Sequence, residues 1–380
     1  MITKPPQVQL QDHLYKAFLT GQTADVVLRV SGNWNAVYKL HRIVLTQADF
    51  FRSLFTSGFV ESNPNTILAR NEVRIRFDHD PNITRAVTHD SRSICLAHLY
   101  GGGPGLWVCP SLKATVQEPL TSAYTKPSLE KPRVPNDHHP CSPRFLLSLL
   151  STAFYLSIPT LTSEVLSLIL LSIGPLTVAR YLDYSLGKGI GPPNPGFVEL
   201  ERAVTLEGIG EDVDSESIFT DTYSIDRETT DGEPSLEEND TKRSEMTTSR
   251  FTNEMTPSYS YGAISNKIGE ACAAFLARWG VDLLQQEEEQ RTTNSTIAPT
   301  PLPFSAVPGP LTDLSSSGTS NWRPTSPRPR IWSEGLSPEW VYGVLSSDEL
   351  FVKDETKRYE AAKRVVELRR RVKGIVDHEE

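Results

Sequence analysis

Cysteine is scarce in this chain. Its 380 residues include four, Cys95, Cys109, Cys141 and Cys272, far apart and never in C-x-x-C spacing. That argues against a disulfide framework and a thiolate zinc site, and free thiols fit cytoplasmic or nuclear residence. Basic residues are also in deficit, 38 Lys and Arg against 47 Asp and Glu, a net charge of −9. A general nucleic-acid binder shows the opposite surplus. Catalytic signatures are missing as well. The sequence contains no G-x-x-x-x-G-K-[ST], G-x-S-x-G, H-E-x-x-H or EF-hand loop, so neither enzymatic chemistry nor a cofactor is expected. Gly101-Gly102-Gly103-Pro104-Gly105 lacks the Lys-Ser/Thr of a phosphate cradle, and its proline removes a backbone donor, so it reads as a turn. In His138-His139-Pro140-Cys141 no partner pair completes a metal-ligand spacing.

Long apolar runs are equally rare. Phe145 to Ser163 is free of charge, but Ser, Thr and Pro159 interrupt it and Arg144 and Glu164 bracket it. Leu146, Leu149, Leu150 and Ala153 follow one-face helical spacing, so a buried helix pair is expected here and no membrane span. The opening stretch MITKPPQVQLQDH has no apolar core or small-residue cleavage site, so no signal peptide is expected.

Hydrophobic residues make up 38% of the chain, below the average of a compact globular protein, so part should fold and part should not. The charge is local. Glu199–Glu245 holds 16 acidic and 4 basic residues, a net −12, which leaves the rest near neutrality. Residues 192–261 therefore read as an acidic disordered insertion, residues 105–143 as a Pro-rich loop, and residues 286–335 as a Pro/Ser/Thr-rich disordered linker. Helices are expected at 144–157, 161–173 and 178–186, at 266–284, and within 337–373. In the fourth of these, Ile268, Cys272, Phe275, Leu276, Trp279 and Leu283 share one face. Trp279, Trp340 and Phe351 supply apolar faces that need partners.

Thr23–Glu61 carries the strongest pattern. Val26, Leu28 and Val30 alternate with Val27 and Arg29. A turn, a second strand at 36–40 and two short helices follow, then a strand at 73–77. Ala24-Asp25-Val26, Leu40-His41-Arg42, Phe50-Phe51…Phe55 and Gly58-Phe59-Val60-Glu61-Ser62 resemble the BTB/POZ domain. So do Ile94…Leu96-Ala97-His98-Leu99-Tyr100-Gly101 and Tyr155-Leu156…Ile158-Pro159…Leu161. The Pro-rich insertion at 105–143 resembles that of fungal BTB proteins. Arg180-Tyr181-Leu182, Lys267–Cys272, Pro338-Glu339-Trp340-Val341 and Arg358–Arg370 are distantly similar to germ cell-less proteins.

The resemblance implies an α+β BTB/POZ fold over 1–174, a short sheet packed with helices. An all-helical BACK-like region would follow, assembled from 175–191, 262–285 and 336–373. It implies a protein–protein adaptor and homodimer that recruits an unknown substrate to a cullin-based ubiquitin ligase. Phe59 and Glu61 would dock the cullin, the aromatic as anchor and the carboxylate at its edge. Asp25 and Arg42 would line a charged pocket near the dimer interface; an ordinary fold-stabilising pair is the other reading. A structural or transcription-regulatory oligomerisation protein without ligase role is the alternative. Neither nucleic acid nor membrane is an expected partner. His41 reads as a packed, hydrogen-bonded histidine.

Overall fold

The computed structural model describes residues 6–31, 34–56, 72–76, 86–125, 133–193, 200, 202–212, 261–295, 330–372 and 374. It is a mixed α+β structure, with a small sheet, many helices and a helical C-terminal region. The first helix is α1 (Pro6–Thr20). Strands β1 (Val26–Ser31) and β2 (Ala36–Leu40) pair antiparallel, with Val26 opposite Leu40 and Val30 opposite Ala36. Their two-residue period buries Val26, Leu28, Val30, Ala36, Tyr38 and Leu40 on one face. Helices α2 (Arg42–Leu45) and α3 (Asp49–Thr56) follow. The chain then returns as β3 (Glu72–Arg76), parallel to β1, with Val73 beside Leu28 and Ile75 beside Val30. A parallel neighbour needs a long crossover, and the α2–α3 stretch supplies it.

Helix α4 (His89–Leu99) runs through the interior, buried on nearly every position. The Thr88 hydroxyl and the Ser91 side chain cap its start reciprocally. Helices α6 (Pro143–Tyr155) and α7 (Pro159–Leu171) pack on each other, and α6 packs on α4. Ser142 caps α6 by accepting from the Phe145 N–H at 3.0 Å. The uncharged run at 145–163 is thus a helix pair broken before Pro159. No described helix is long and apolar enough to cross a membrane.

Three stretches are more ordered than composition predicts. The Pro-rich insertion forms β4 (Gly105–Trp107), a 3₁₀ turn at Pro110–Leu112, the short α5 (Ser122–Thr125) and β5 (His138–Pro140) parallel to β4. Val108, Leu112, Leu120 and Tyr124 are buried there. Within 192–261, residues 202–212 fold back and end in β6 (Glu211–Asp212), which adds to the β2 edge. Gly210 allows this: its φ is +78°, and an added Cβ would lie 2.8 Å from the Tyr38 ring. Ala203 and Leu206 are buried, and Lys39 pairs with Glu211 at 3.1 Å.

The third stretch, the expected linker at 286–335, borders the helical C-terminal region, which comprises α8 (Val178–Ser185), α9 (Ala263–Ser295), a π-helical turn at Ile331–Gly335, α10 (Pro338–Ser346) and α11 (Glu355–Val372). Helix α9 passes the expected end at 285 because Gln and Glu, good helix formers, fill the sequence there. The turn at 331–335 lies inside the expected linker and holds Trp332, the largest fully buried side chain among the described residues. Its indole N–H donates to Gly280 O at 2.8 Å, and its backbone N–H points to the buried Glu287 carboxylate at 3.2 Å. Phe351, expected to seek cover, is instead 63% exposed beneath the Arg278 guanidinium, 4.0 Å from the ring centre. The buried apolar side chains form one cluster from Phe18 to Leu368. The two regions named from sequence therefore share a core.

Gly280 is the tightest point of this packing: an added Cβ would sit 2.8 Å from Trp332 Cζ2. Gly280→Ala should cost about 1–3 kcal/mol through overpacking, read by urea unfolding. The cost should shrink when Trp332 is Leu, because the clash goes with the ring.

Candidate functional site

Asp25 lies just before β1, where its N–H donates to Leu40 O at 3.0 Å. Arg42 is the first residue of α2, on the far side of the β1–β2 hairpin. The antiparallel register brings the two together, and Asp25 Oδ1 accepts the Arg42 backbone N–H at 2.7 Å. The exposed carboxylate thus satisfies an orphan donor at a helix start and faces its positive end. The Arg42 guanidinium sits over the Phe55 ring, 4.9 Å from its centre. The structure therefore brings this pair together through a helix-capping bond. The arrangement accounts for Asp25 without a ligand.

His41, between them, is fully engaged. Its Nε2 lies 3.0 Å from Gln22 O and 3.1 Å from Thr23 Oγ1, and Nδ1 lies 3.0 Å from the Tyr100 hydroxyl. A carbonyl can only accept, so Nε2 carries the proton and Nδ1 accepts from Tyr100. The same Tyr100 oxygen accepts the His41 backbone N–H at 2.7 Å. Burial pushes the Tyr100 hydroxyl up to about 12, so the donor stays protonated. Phe59 and Glu61, the expected cullin-docking residues, lie outside the described residues, three and five positions past the end of α3.

Sequence reasoning missed a buried polar network around α4. The Thr88 hydroxyl reaches Asp90 Oδ1 and, at 3.0 Å, Ser148 Oγ. Ser148 Oγ lies 3.1 Å from Ser91 Oγ, which lies 2.9 Å from Thr152 Oγ1. His139, 1% exposed in β5, faces Asp90 Oδ2 across 3.8 Å with Nε2. Its Nδ1 accepts the Val204 N–H at 3.3 Å, and its ring packs on Phe145. The Asp–His pairing has the outline of an acid–base dyad, but a backbone amide occupies the position a nucleophile would need. Both nitrogens serve the fold: they tie the returning segment to β5 and α4. A period count cannot find such a network, because the partners that join its elements lie about 50 to 65 residues apart. Among the described residues, no group of three or more His, Cys, Asp or Glu is placed to hold a metal ion. Burial also pushes the Cys95 and Cys141 thiols far up, so neither is an activated thiolate.

Burial lowers the His139 imidazole to about 4. The unfolded imidazole takes up its proton below about 6.5, so unfolding binds a proton between the two values. The stabilising contribution is therefore complete above about pH 6.5 and falls as pH drops towards 4, by up to about 3 kcal/mol. His139→Asn keeps an acceptor for the Val204 amide and removes the titration. Urea unfolding at a series of pH values should show a flatter decline for the variant, and equal slopes would remove His139 as the cause. Comparison of the chain with protein-family models and with curated proteins gave no match in either case.

Proposed function

We propose that the chain is a BTB/POZ-type protein–protein interaction adaptor, and that it recruits a substrate to a cullin-based ubiquitin ligase. One observation carries the reading: the element order and sheet pairing. A β1–β2 hairpin leads through two short helices to a strand parallel to β1. A buried helix ending at Tyr100-Gly101 and a helix pair broken at Ile158-Pro159 follow. This is the order in which the BTB-resembling motifs stand in the sequence. The capping bond from Asp25 to the head of α2 supports the same reading, since it joins two of those motifs. Helices α8 to α11 would be the BACK-like extension, packed directly on the closing helix pair through the contact of α9 with α7.

In this reading Phe59 fills an apolar pocket of the cullin, and the Glu61 carboxylate fixes polarity at its rim. A central aromatic anchor typically contributes about 2 kcal/mol or more at such an interface. The Phe59→Ala/Glu61→Ala double variant should therefore lose cullin co-purification by about tenfold or more, with unfolding midpoint unchanged. A wild-type chain that captures no cullin would remove the ligase role and favour an oligomerisation protein. Dimer formation is a separate expectation. Mass measurement at micromolar concentration should give twice the chain mass, and a monomer would remove self-association from the proposal.

A further inference from the structure

Residues 202–212 form a small loop closed by its own bonds. The Arg202 guanidinium donates to Glu207 O at 3.0 Å and to Gly210 O at 3.3 Å, and it pairs with Asp212. The Thr205 N–H donates to Glu207 Oε1 at 3.1 Å. Thr205 itself sits at φ +67°, in the left-handed region that a β-branched residue rarely enters, so the loop carries strain. Two buried histidines tie this loop to the rest of the protein, one near each end. Val204 N–H donates to His139 Nδ1 at 3.3 Å, and the Gly210 backbone is hydrogen bonded to His89 of α4, which is 8% exposed. Further ties are the Thr205 bond to Tyr15 of α1, the Lys39–Glu211 pair and the two-residue ladder of β6 on β2.

We propose that residues 202–212 are an acid-released strap: protonation of His139 and His89 detaches the segment and uncovers the β2 edge. The hydrogen-bond geometry carries this. His139 Nδ1 must be unprotonated to accept the Val204 N–H. A proton there sets donor against donor, and the strap is pushed off. His89 Nδ1 is buried and finds no hydrogen-bond partner, so a proton on it would be a buried donor without an acceptor. The closed strap thus refuses both protons, and the open state, with water at the rings, takes them. Release removes the partner of Ala36 and Val37 on an edge strand.

The surrounding charges leave this balance in place. His139 faces Asp90 of α4 at 3.8 Å, the Phe145 ring of α6 and, on its own strand, Cys141, whose thiol donates to His139 O at 3.4 Å. Asp90 favours an imidazolium but stands at Nε2, so it cannot relieve the clash at Nδ1. Around His89 stand Tyr38 of β2, the Trp34 ring, and Arg202 and Asp212 of the strap. Burial and then Arg202 lower its imidazole, against Asp212 and the Gly210 bond. Burial lowers that of His139 to about 4, whereas a ring in water titrates near 6.5. Closure is therefore fully favoured above about pH 6.5 and loses ground as pH falls towards 4. For His139 alone, these two values raise the open-to-closed ratio about twentyfold between pH 7 and pH 5. Opening is local because the strap's buried apolar side chains are Ala203 and Leu206, while α4 stays covered by the sheet and α6. None of this rests on the BTB reading.

The test is hydrogen–deuterium exchange of the full chain from pH 7 to pH 4, read by mass spectrometry and corrected for the intrinsic exchange rate at each pH. Protection of a 203–212 peptide should fall about tenfold or more between pH 7 and pH 5. Peptides from α4 and from 268–284 of α9 should keep theirs. The His139→Asn/His89→Gln double variant keeps an acceptor for Val204 and a donor for Gly210 but cannot titrate, so its 203–212 protection should be the same at pH 7 and pH 5. Thermal unfolding at pH 7 checks that it folds; should it not, His139→Asn alone, with a smaller fall than the wild type, serves in its place. Constant wild-type protection between pH 7 and pH 5 would overturn the proposal. So would loss shared equally by α4 and α9, which is global unfolding, or an undiminished fall in the folded variant. A fall that begins only below about pH 4.5 would belong to the Glu211 and Asp212 carboxylates and would overturn it as well.

Discussion

A helix buried on all sides has no face to give to water, and α4 is such a helix. The sheet lies against one side of it and α6 against another, so each polar group at its start must find a partner inside the protein. Thr88, Asp90 and Ser91 find theirs in the hydroxyls of α6 and in the helix's own amides. The Tyr38 hydroxyl, from β2, lies 3.4 Å from Ser93 Oγ and 3.5 Å from His89 Nε2. At the other end, Gln47 donates to Leu99 O at 3.1 Å, and Tyr100 joins the head of α2. The requirement that a buried helix be satisfied thus positions the hairpin, α2 and the closing helices together.

That requirement also explains why distant segments are drawn in. His139 faces Asp90 with one nitrogen and takes the Val204 amide on the other, so the 202–212 segment is held against the same network. Once Val204 is held, the chain reaches the free edge of β2 within a few residues and pairs there as β6. Covering an edge strand removes an exposed row of donors and acceptors. An acidic stretch can serve in this place because its charges point outward: Glu211 meets Lys39 and Asp212 meets Arg202 at the surface.

The C-terminal helices depend on α9 in the same way that the sheet depends on α4. Helix α9 touches α7, α8, α10, α11 and the turn that holds Trp332. The Gly280 position lets the indole lie against its backbone, and Glu288 binds Arg364 of α11. These ties use one side of α11 and leave Tyr359 and Val366 on the surface.

Wherever a local period exists, the elements were legible in the residues alone. Alternation at 26–30 and 36–40 marked two strands, and the spacing in 144–155 and 266–284 marked two helices, because burial on one face imposes the period directly. Asp25 and Arg42 were legible as a pair, though the bond is to the Arg42 backbone, which no side-chain inventory reveals. What composition hid was order within polar stretches: β4 and β5 among prolines, β6 among acids, Trp332 at the edge of a linker. In each, one or two anchoring residues hold a short piece, and averaging over the whole stretch dilutes them. The sequence by itself determined which faces are apolar, where helices must stop, and that the charge is concentrated in one run. Only the tertiary structure decided which distant segments complete the sheet, which histidine is locked inside, and which apolar side chains of α11 are left uncovered. Those outcomes depend on contacts between residues far apart in the chain, and local spacing carries no information about them.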